Sequence, residues 1–459
     1  MGKRELRSIT LIILITLSIW QTSKLWLGNT PGLSFFAFSK ESGRDQMEPE
    51  SIWIVPGAPG TLVYRLGEEN REYQSVRGEI EKNISAYLQE PKVREVRTLD
   101  WQELFQNRGI LYQYPMPITY GEMIGMGAGA TPKNKIDINN IDYVFIQLTD
   151  DNRGIAKWQL VSSVNNKSVT IEVQGQFDNM KAFNDLLTEE ALTYKVKYQP
   201  SFNMGGISNK NLFLPVASKD TPIPYDILEW HNPLEQEEDL SKFNPYVNHY
   251  FLNPLLKKEE ITNDGVYIFS ELMKAVVKYY PSGIFEYSNI SVMENKTKIP
   301  RLEAYHIGRR FLEENDSITK EIRNSLFLSG IEEIDTGYIF SFDMRIGGIP
   351  IYFSEVERER LGMDNMVKIV VEGHEVSNFK WNASELRDKT TGYTTDPKTN
   401  YFSMKYTDAI NKVLEYVSIN KEFNTLVIDN MKWVYMVNGP EEEISIRWII
   451  LHEDEWYSP

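Results

Sequence analysis

The sequence predicts an α+β protein: a single N-terminal transmembrane helix followed by a multidomain mixed α/antiparallel-β ectodomain. Three observations carry this expectation. One apolar stretch near the N-terminus has the length of a bilayer crossing, and no later run approaches 18 apolar residues. The rest of the chain alternates between apolar spacings of two and of three to four, punctuated by Gly, Asn and Pro turns. Its 459 residues, at about 150 per domain, point to about three domains.

Composition narrows the function before any motif is read. With 41% hydrophobic, 12% aromatic and 25% charged residues, the chain falls in the globular range rather than the disordered one. It contains no Cys, which excludes disulfides, thiolate metal sites and cysteine nucleophiles together. A net charge of -16 repels phosphate backbones, so nucleic acid is not an expected partner.

From Ile9 to Trp20 nine of twelve residues are apolar, after a start that carries Lys3, Arg4 and Arg7. Residues 8–27 as a helix rise about 30 Å, one hydrocarbon core, with Lys24 placed to snorkel and Trp26 suited to the headgroup belt. No small-x-small cleavage site follows at Gln21 to Leu27, which favours an uncleaved anchor over a signal peptide. Because the positive charges precede the span, the expected location is the cell membrane, with a cytoplasmic tail at 1–7 and an extracytoplasmic ectodomain. Residues 1–27 carry a net +3, so the ectodomain is left with -19. Ser8, Leu11, Ile15, Ser18 and Thr22 share one face of this helix at spacings of three and four. Hydroxyls on such a face favour close helix contact in lipid, which makes these five residues the candidate partner-binding site.

After a linker at 28–48, three α+β domains are expected at 49–200, 201–299 and 300–459. In the first, Val76, Ile80, Ile84, Tyr87 and Leu88 mark one helix face, and strands run at Tyr143 to Leu148, Ile155 to Val161 and Val169 to Val173; a second helix begins at Met180, Phe183, Leu186 and Leu187. The second opens beyond Pro200 to Lys210 and contains a meander: Asn263-Asp264-Gly265, the strands Val266 to Phe269 and Ala275 to Tyr280, then Pro281-Ser282-Gly283 and Ile284, Phe285 and Tyr287. In the third, a helix through Leu302, Tyr305, His306, Arg309 and Leu312 precedes alternating Tyr338, Phe340, Phe342 and Met344, which turn at Gly347-Gly348. A helix through Tyr406, Ile410, Val413 and Val417 precedes a second hairpin from Trp433, turning at Asn438-Gly439 and returning through Ile444, Ile446 and Trp448. The two hairpins start 95 residues apart, the spacing of two related modules.

The motifs that carry chemistry are absent or weak. His231, His249, His306, His374 and His452 have no zinc spacing, and there is no nucleophile elbow. Gly125 to Ala130 satisfies Gly-x-Gly-x-x-Ala, but Thr131-Pro132 follows where a helix should begin, so it reads as a surface loop. The acidic clusters Glu235 to Asp239, Glu355 with Glu357 and Glu359, and Glu441 to Glu443 read as solvated turns and helix faces. Alternating Tyr and Phe in strands read as core rather than as a glycan platform. No catalytic residue, cofactor or metal is expected; the rival class is a membrane-anchored envelope hydrolase or glycan-binding protein.

Several segments give the chain a family resemblance. Ser8 entering the span, Leu25-Trp26, Thr262-Asn263-Asp264-Gly265, Tyr280-Pro281-Ser282-Gly283-Ile284-Phe285-Glu286-Tyr287, Gly347-Gly348-Ile349-Pro350 and the terminal strand Ile444 to Leu451 together resemble the YycH family. That resemblance implies a non-enzymatic extracytoplasmic regulator of the essential WalK/YycG sensor histidine kinase of cell-wall homeostasis in Gram-positive bacteria. It also implies a YycI-like membrane protein as partner and action largely through transmembrane helix packing.

Overall fold

The computed structural model describes residues 47–459 apart from 58–61, 68–69, 71, 89–91, 126–135, 137, 148–154, 175–195, 205, 227, 273, 291–296, 389–399, 421–427, 440–441 and 453–454. The expected span at 8–27, the linker to residue 46, the helix at Met180 to Leu187 and the Gly-rich loop beyond Gly125 lie outside the described residues. No helix among the described residues is long and apolar enough to cross a membrane.

The first sheet contains β1 (Ser51–Val55), β2 (Val63–Leu66), β3 (Lys92–Thr98), β4 (Gly109–Ile118), β5 (Ile141–Gln147), β6 (Ile155–Ser162), β7 (Lys167–Gln174), β8 (Lys197–Pro200) and β9 (Phe213–Pro215). Its order is β3-β7-β6-β5-β4-β1-β2-β8-β9, and every pair is antiparallel. Both faces of β1 are buried, because successive side chains of a strand point to opposite sides and each side meets a helix. Ile52 and Ile54 face the helix α1 (Tyr73–Tyr87), which brings Val76, Ile80 and Ile84 to the same cluster. Trp53 and Val55 face the other way, against Leu104 and Phe105 of α2 (Trp101–Gln106). A short helix α3 (Tyr120–Met123) comes after β4 and begins with a capping box between Thr119 and Glu122.

The second sheet is larger. Its strands are β11 (Leu228–His231), β12 (Lys258–Ile261), β13 (Tyr267–Glu271), β14 (Ala275–Tyr279), β15 (Ile284–Asn289), β16 (Leu326–Ile334), β17 (Gly337–Ile346), β18 (Ile349–Phe353), β19 (Val367–Glu372), β20 (Glu375–Asn382), β21 (Glu385–Asp388), β23 (Asn430–Val437), β24 (Glu443–His452) and β25 (Glu455–Tyr457); β10 (Ile223–Tyr225) and β22 (Asn400–Phe402) pair separately. The path runs β12-β13-β14-β15-β20-β19-β17-β18-β23-β24-β11-β21, with β16 on β17 and β25 on β24. Between the described strands, only β18 and β23 pair in parallel, which sets the two expected hairpins side by side. The meander continues into strands from much later in the chain, since β15 pairs with β20 from Ile284↔Asn382 to Ser288↔Asn378; segments before and after residue 300 therefore share one sheet. The helices are α4 (Asn244–Val247), α5 (Arg301–Glu313), α6 (Lys320–Ser325), α7 (Glu355–Leu361) and α8 (Tyr406–Asn420).

Aromatic side chains fill this half. Phe243 stacks on Tyr267 at 4.7 Å, Phe285 on Trp381 at 4.8 Å, and Tyr250 on Tyr287 at 4.7 Å, tying the irregular segment before β12 to the meander and to β20. Tyr338, Phe340 and Phe342, whose alternation reads as core in the sequence, are buried. One contiguous apolar cluster runs from Met47 and Ile52 through Phe285 and Phe340 to Ile450, so the two sheets share a core.

Gly337 shows how tightly the second sheet is packed. A Cβ there would overlap the Val371 carbonyl oxygen of the neighbouring strand. Gly337→Ala should therefore destabilise the protein by about 1–3 kcal/mol, read from the urea midpoint. Gly330→Ala on β16, whose Cβ would find its first neighbour at 3.7 Å, should stay within about 0.5 kcal/mol of wild type.

Candidate functional site

Two features stand apart from ordinary core packing: a charged seam between the sheets and a cluster of protruding leucines on the outermost hairpin. The seam begins at Glu48, just before β1. Its Oε1 accepts from Arg77 Nη2 of α1 at 3.1 Å, and its Oε2 pairs with Arg309 Nη2 of α5 at 3.1 Å. One carboxylate is thus held by helices belonging to different sheets. Arg77 also gives its Nε to Glu81 Oε1 at 2.7 Å, and the Tyr112 hydroxyl donates to the same oxygen at 3.2 Å.

Two more arginines cross the seam. Arg345 of β17 donates Nη1 to the Glu50 carbonyl oxygen at 2.5 Å. Arg301, the first residue of α5, forks onto Glu122, with Nε on Oε1 at 2.8 Å and Nη2 on Oε2 at 2.6 Å. Glu122 is the same residue that closes the α3 capping box, so its carboxylate is fixed before Arg301 reaches it.

The electrostatics distinguish these carboxyls. Burial opposes the charge of Glu48, but Arg309 and Arg77 outweigh it and hold the carboxyl below its ordinary value. Burial likewise opposes Glu122, and the Arg301 fork brings it down. For Glu50 and Glu81 burial wins, and both carboxyls titrate above their ordinary value. The seam encloses ≈ 20 Å³, room for about one water. This arrangement orients two sheets; it offers no nucleophile and no space for a substrate.

The second feature lies at the end of the larger sheet. β12 is its outermost strand, and Lys258, Glu259 and Glu260 blunt the free edge with charge. Leu252, Leu255, Leu256, Ile261 and Leu272 all protrude here, Leu255 being 93% exposed and Leu272 75%. Four of them lie at one end of the β12–β13 hairpin, because Lys258 pairs with Ser270 and the chain enters β12 and leaves β13 there. The buried Glu271 carboxylate organises the group: Oε2 accepts from Leu252 N–H and Oε1 from Asn253 N–H, each at 2.7 Å. The Asn253 side chain in turn accepts from Leu255 N–H at 3.2 Å.

Leu272 is the least expected member. Its φ of 44° places a branched, L-configured side chain in the left-handed region that Gly and Asn adopt more easily. Neither folding nor solubility favours an exposed leucine in that conformation. Each such side chain also forgoes about 1.5–3 kcal/mol of burial that a partner would recover. The group is a rigidly mounted apolar surface, the kind that marks a contact site.

The candidate residues from the sequence fall in separate places. The face of Ser8, Leu11, Ile15, Ser18 and Thr22 lies outside the described residues. Glu357 is buried in α7 and forked by Arg360, with contacts of 2.7 and 2.6 Å, so it braces its own helix, whereas Glu355 does not join it. His374 meets the exposed Glu303, at 3.3 Å. Asp264 lies in the turn closed by Gly265 N–H to Thr262 O at 3.0 Å. No group of three His, Asp or Glu among the described residues is placed to hold a metal ion. The arginine seam and the leucine cluster were invisible to spacing, since Arg309 and Glu48 are far apart in sequence and the leucines show no period.

No protein-family model and no curated protein matches this chain. Among solved structures it is similar to YycH from Bacillus subtilis, with a TM-score of 0.56 and 13% identity, over 90% of this chain and 96% of that one. At that identity the likeness is one of fold, and the fold is YycH-like.

Because Glu48 is lowered in the folded state, its contribution to stability is present above its ordinary value of 4.5 and is lost as pH falls through the lower folded value. Glu48→Gln should lower stability by about 1–3 kcal/mol at neutral pH, less than for a fully buried pair since the site is partly exposed. The gap to wild type in thermal midpoint should close as the pH drops below 4.5. A gap that persisted unchanged into acid would show that the carboxylate charge is not what joins the sheets.

Proposed function

We propose that this chain is a single-pass membrane regulator of a WalK/YycG-like sensor histidine kinase, acting with a YycI-like partner rather than as an enzyme. The observation that supports the reading most is the YycH-like fold over 90% of the chain, joined to the family resemblance of its turn and hairpin segments. In this reading residues 8–27 anchor the protein with its N-terminus in the cytoplasm, and the ectodomain lies outside. The helix face of Ser8, Leu11, Ile15, Ser18 and Thr22 packs against a helix of the kinase or of the YycI-like protein.

The ectodomain adds a second contact. The leucines around β12 and β13 dock on the YycI-like protein, which holds the complex together while the transmembrane face biases the kinase. Such a bias needs only a few kcal/mol of differential contact between two signalling states. The seam serves the same end, because a rigid pair of sheets transmits position where a flexible pair would not.

The two contacts are separable by experiment. Ser18 and Thr22 changed together to Leu preserve insertion, and interhelical hydroxyl contacts are worth about 0.6 kcal/mol each, so kinase output should shift several-fold without being abolished. Changing Ile13 and Leu17 to Ala on another face should matter less. Leu255→Ser with Leu272→Asn should lower recovery of the YycI-like partner while leaving the thermal midpoint unchanged or raised, since Asn accepts the left-handed conformation. Unaltered output and unaltered partner recovery in both variants, at matched protein levels, would overturn the proposal.

A further inference from the structure

Beside the seam, a pair of cations gathers where β2 meets the β17–β18 hairpin. Arg65, Arg345, Gly347 and Gly348 line a hollow of ≈ 180 Å³, and Glu321, Asn324 and Ser325 of α6 complete its wall. That volume is small beside the about 300–1,000 Å³ that enclose a drug-sized molecule, and it suits a single ionic group.

Both guanidiniums are held in place. Arg345 is only 8% exposed, lies over the Phe327 ring at 4.2 Å and is tethered to the Glu50 carbonyl oxygen. Arg65 donates Nε to Ser51 Oγ at 3.3 Å, and no carboxylate of the described residues lies within ion-pair distance of it. The turn makes room for this cation: Gly348 has a φ of 85°, and a Cβ there would coincide with the Arg65 guanidinium. The glycine pair therefore does more than close a hairpin. It leaves open the space in which an arginine of the first sheet rests on the second.

Glu50, a half-buried carboxyl close by, is turned toward Gln113, whose Nε2 donates to its Oε2 at 2.9 Å. Burial pushes its proton affinity up, against the opposing pull of Arg345, Lys432 and Arg65. Glu321, exposed in the first turn of α6, is the one acidic side chain among the residues lining the hollow.

We infer that this hollow binds a phosphate group, gripped by Arg65 from the first sheet and Arg345 from the second. Guanidinium N–H groups arriving from two separate elements suit the several oxygens of a tetrahedral oxyanion, whereas a planar carboxylate is satisfied by a single guanidinium. A ligand so held ties the sheets together across the seam, and it stabilises the folded protein in proportion to its occupancy.

The test is calorimetric titration of the full-length protein in detergent with inorganic phosphate, at ionic strength fixed with chloride and with acetate as comparator. Saturable one-to-one binding of phosphate is expected, with acetate weaker by about fivefold or more. Arg65→Gln should weaken phosphate binding by about tenfold, and Glu321→Gln, an exposed change that leaves folding intact, should strengthen it about threefold. The thermal midpoint of the wild type should rise with phosphate and that of Arg65→Gln should not. Absence of saturable binding, acetate as tight as phosphate, or indifference to Glu321→Gln would overturn the assignment.

Discussion

Glu48 is the residue on which the relation between the two sheets turns. Its two oxygens are claimed by Arg77 and Arg309, which sit on helices packed against different sheets. Arg77 cannot move toward its partner without dragging Glu81 and Tyr112, and Arg309 stands about two turns along the helix that Arg301 anchors at Glu122. Ion pairs of this kind add little net stability, because desolvating the charges offsets most of their attraction. What they supply is geometry. The apolar cluster that runs through both sheets would tolerate many relative placements, while the arginine forks accept few.

The protruding leucines gain meaning from that rigidity. A cluster mounted on the last strand of the larger sheet keeps a fixed position relative to the first sheet only if the seam holds. Its own mounting is equally firm, since the buried Glu271 carboxylate fixes the backbone of Leu252 and Asn253. The edge beside it is charged, which discourages strand addition and leaves side-chain docking as the mode of contact. The strain at Leu272 is the local sign that something other than folding selected the residue.

Much of the fold was legible in the sequence, for reasons that are local. The Gly347-Gly348 turn needs positive φ at both positions, and both have it, so the pairing of Ile346 with Ile349 was readable from two letters and their flanks. The apolar stripe of Val76, Ile80 and Ile84 specified a helix because only that period buries all three. The joining of the meander to later strands was not legible, because Phe285 meets Trp381 through a pairing that no local pattern encodes. The seam was hidden for the same reason: Glu48 and Arg309 are ordinary charged residues until the chain brings them together. The leucines at 252, 255 and 256 carried no signal because an apolar run broken by Asn and Pro, without a period, does not tell which of its side chains stay exposed. Among the acidic clusters, Glu357 departs from the solvated face that its neighbours suggest, since it is buried and occupied by Arg360 of its own helix.

Recognition by the leucine cluster can be tested by placing a photocrosslinking amino acid at Leu255 in the full-length protein in its native membrane, with the same substitution at Val164, which is 69% exposed in the β6–β7 turn, as the reference. Adducts from position 255 identified by mass spectrometry as a YycI-like protein or the sensor kinase, and absent from position 164, are the expected result. Adducts that are equal at the two positions, or none at position 255, would contradict a regulatory contact at this surface.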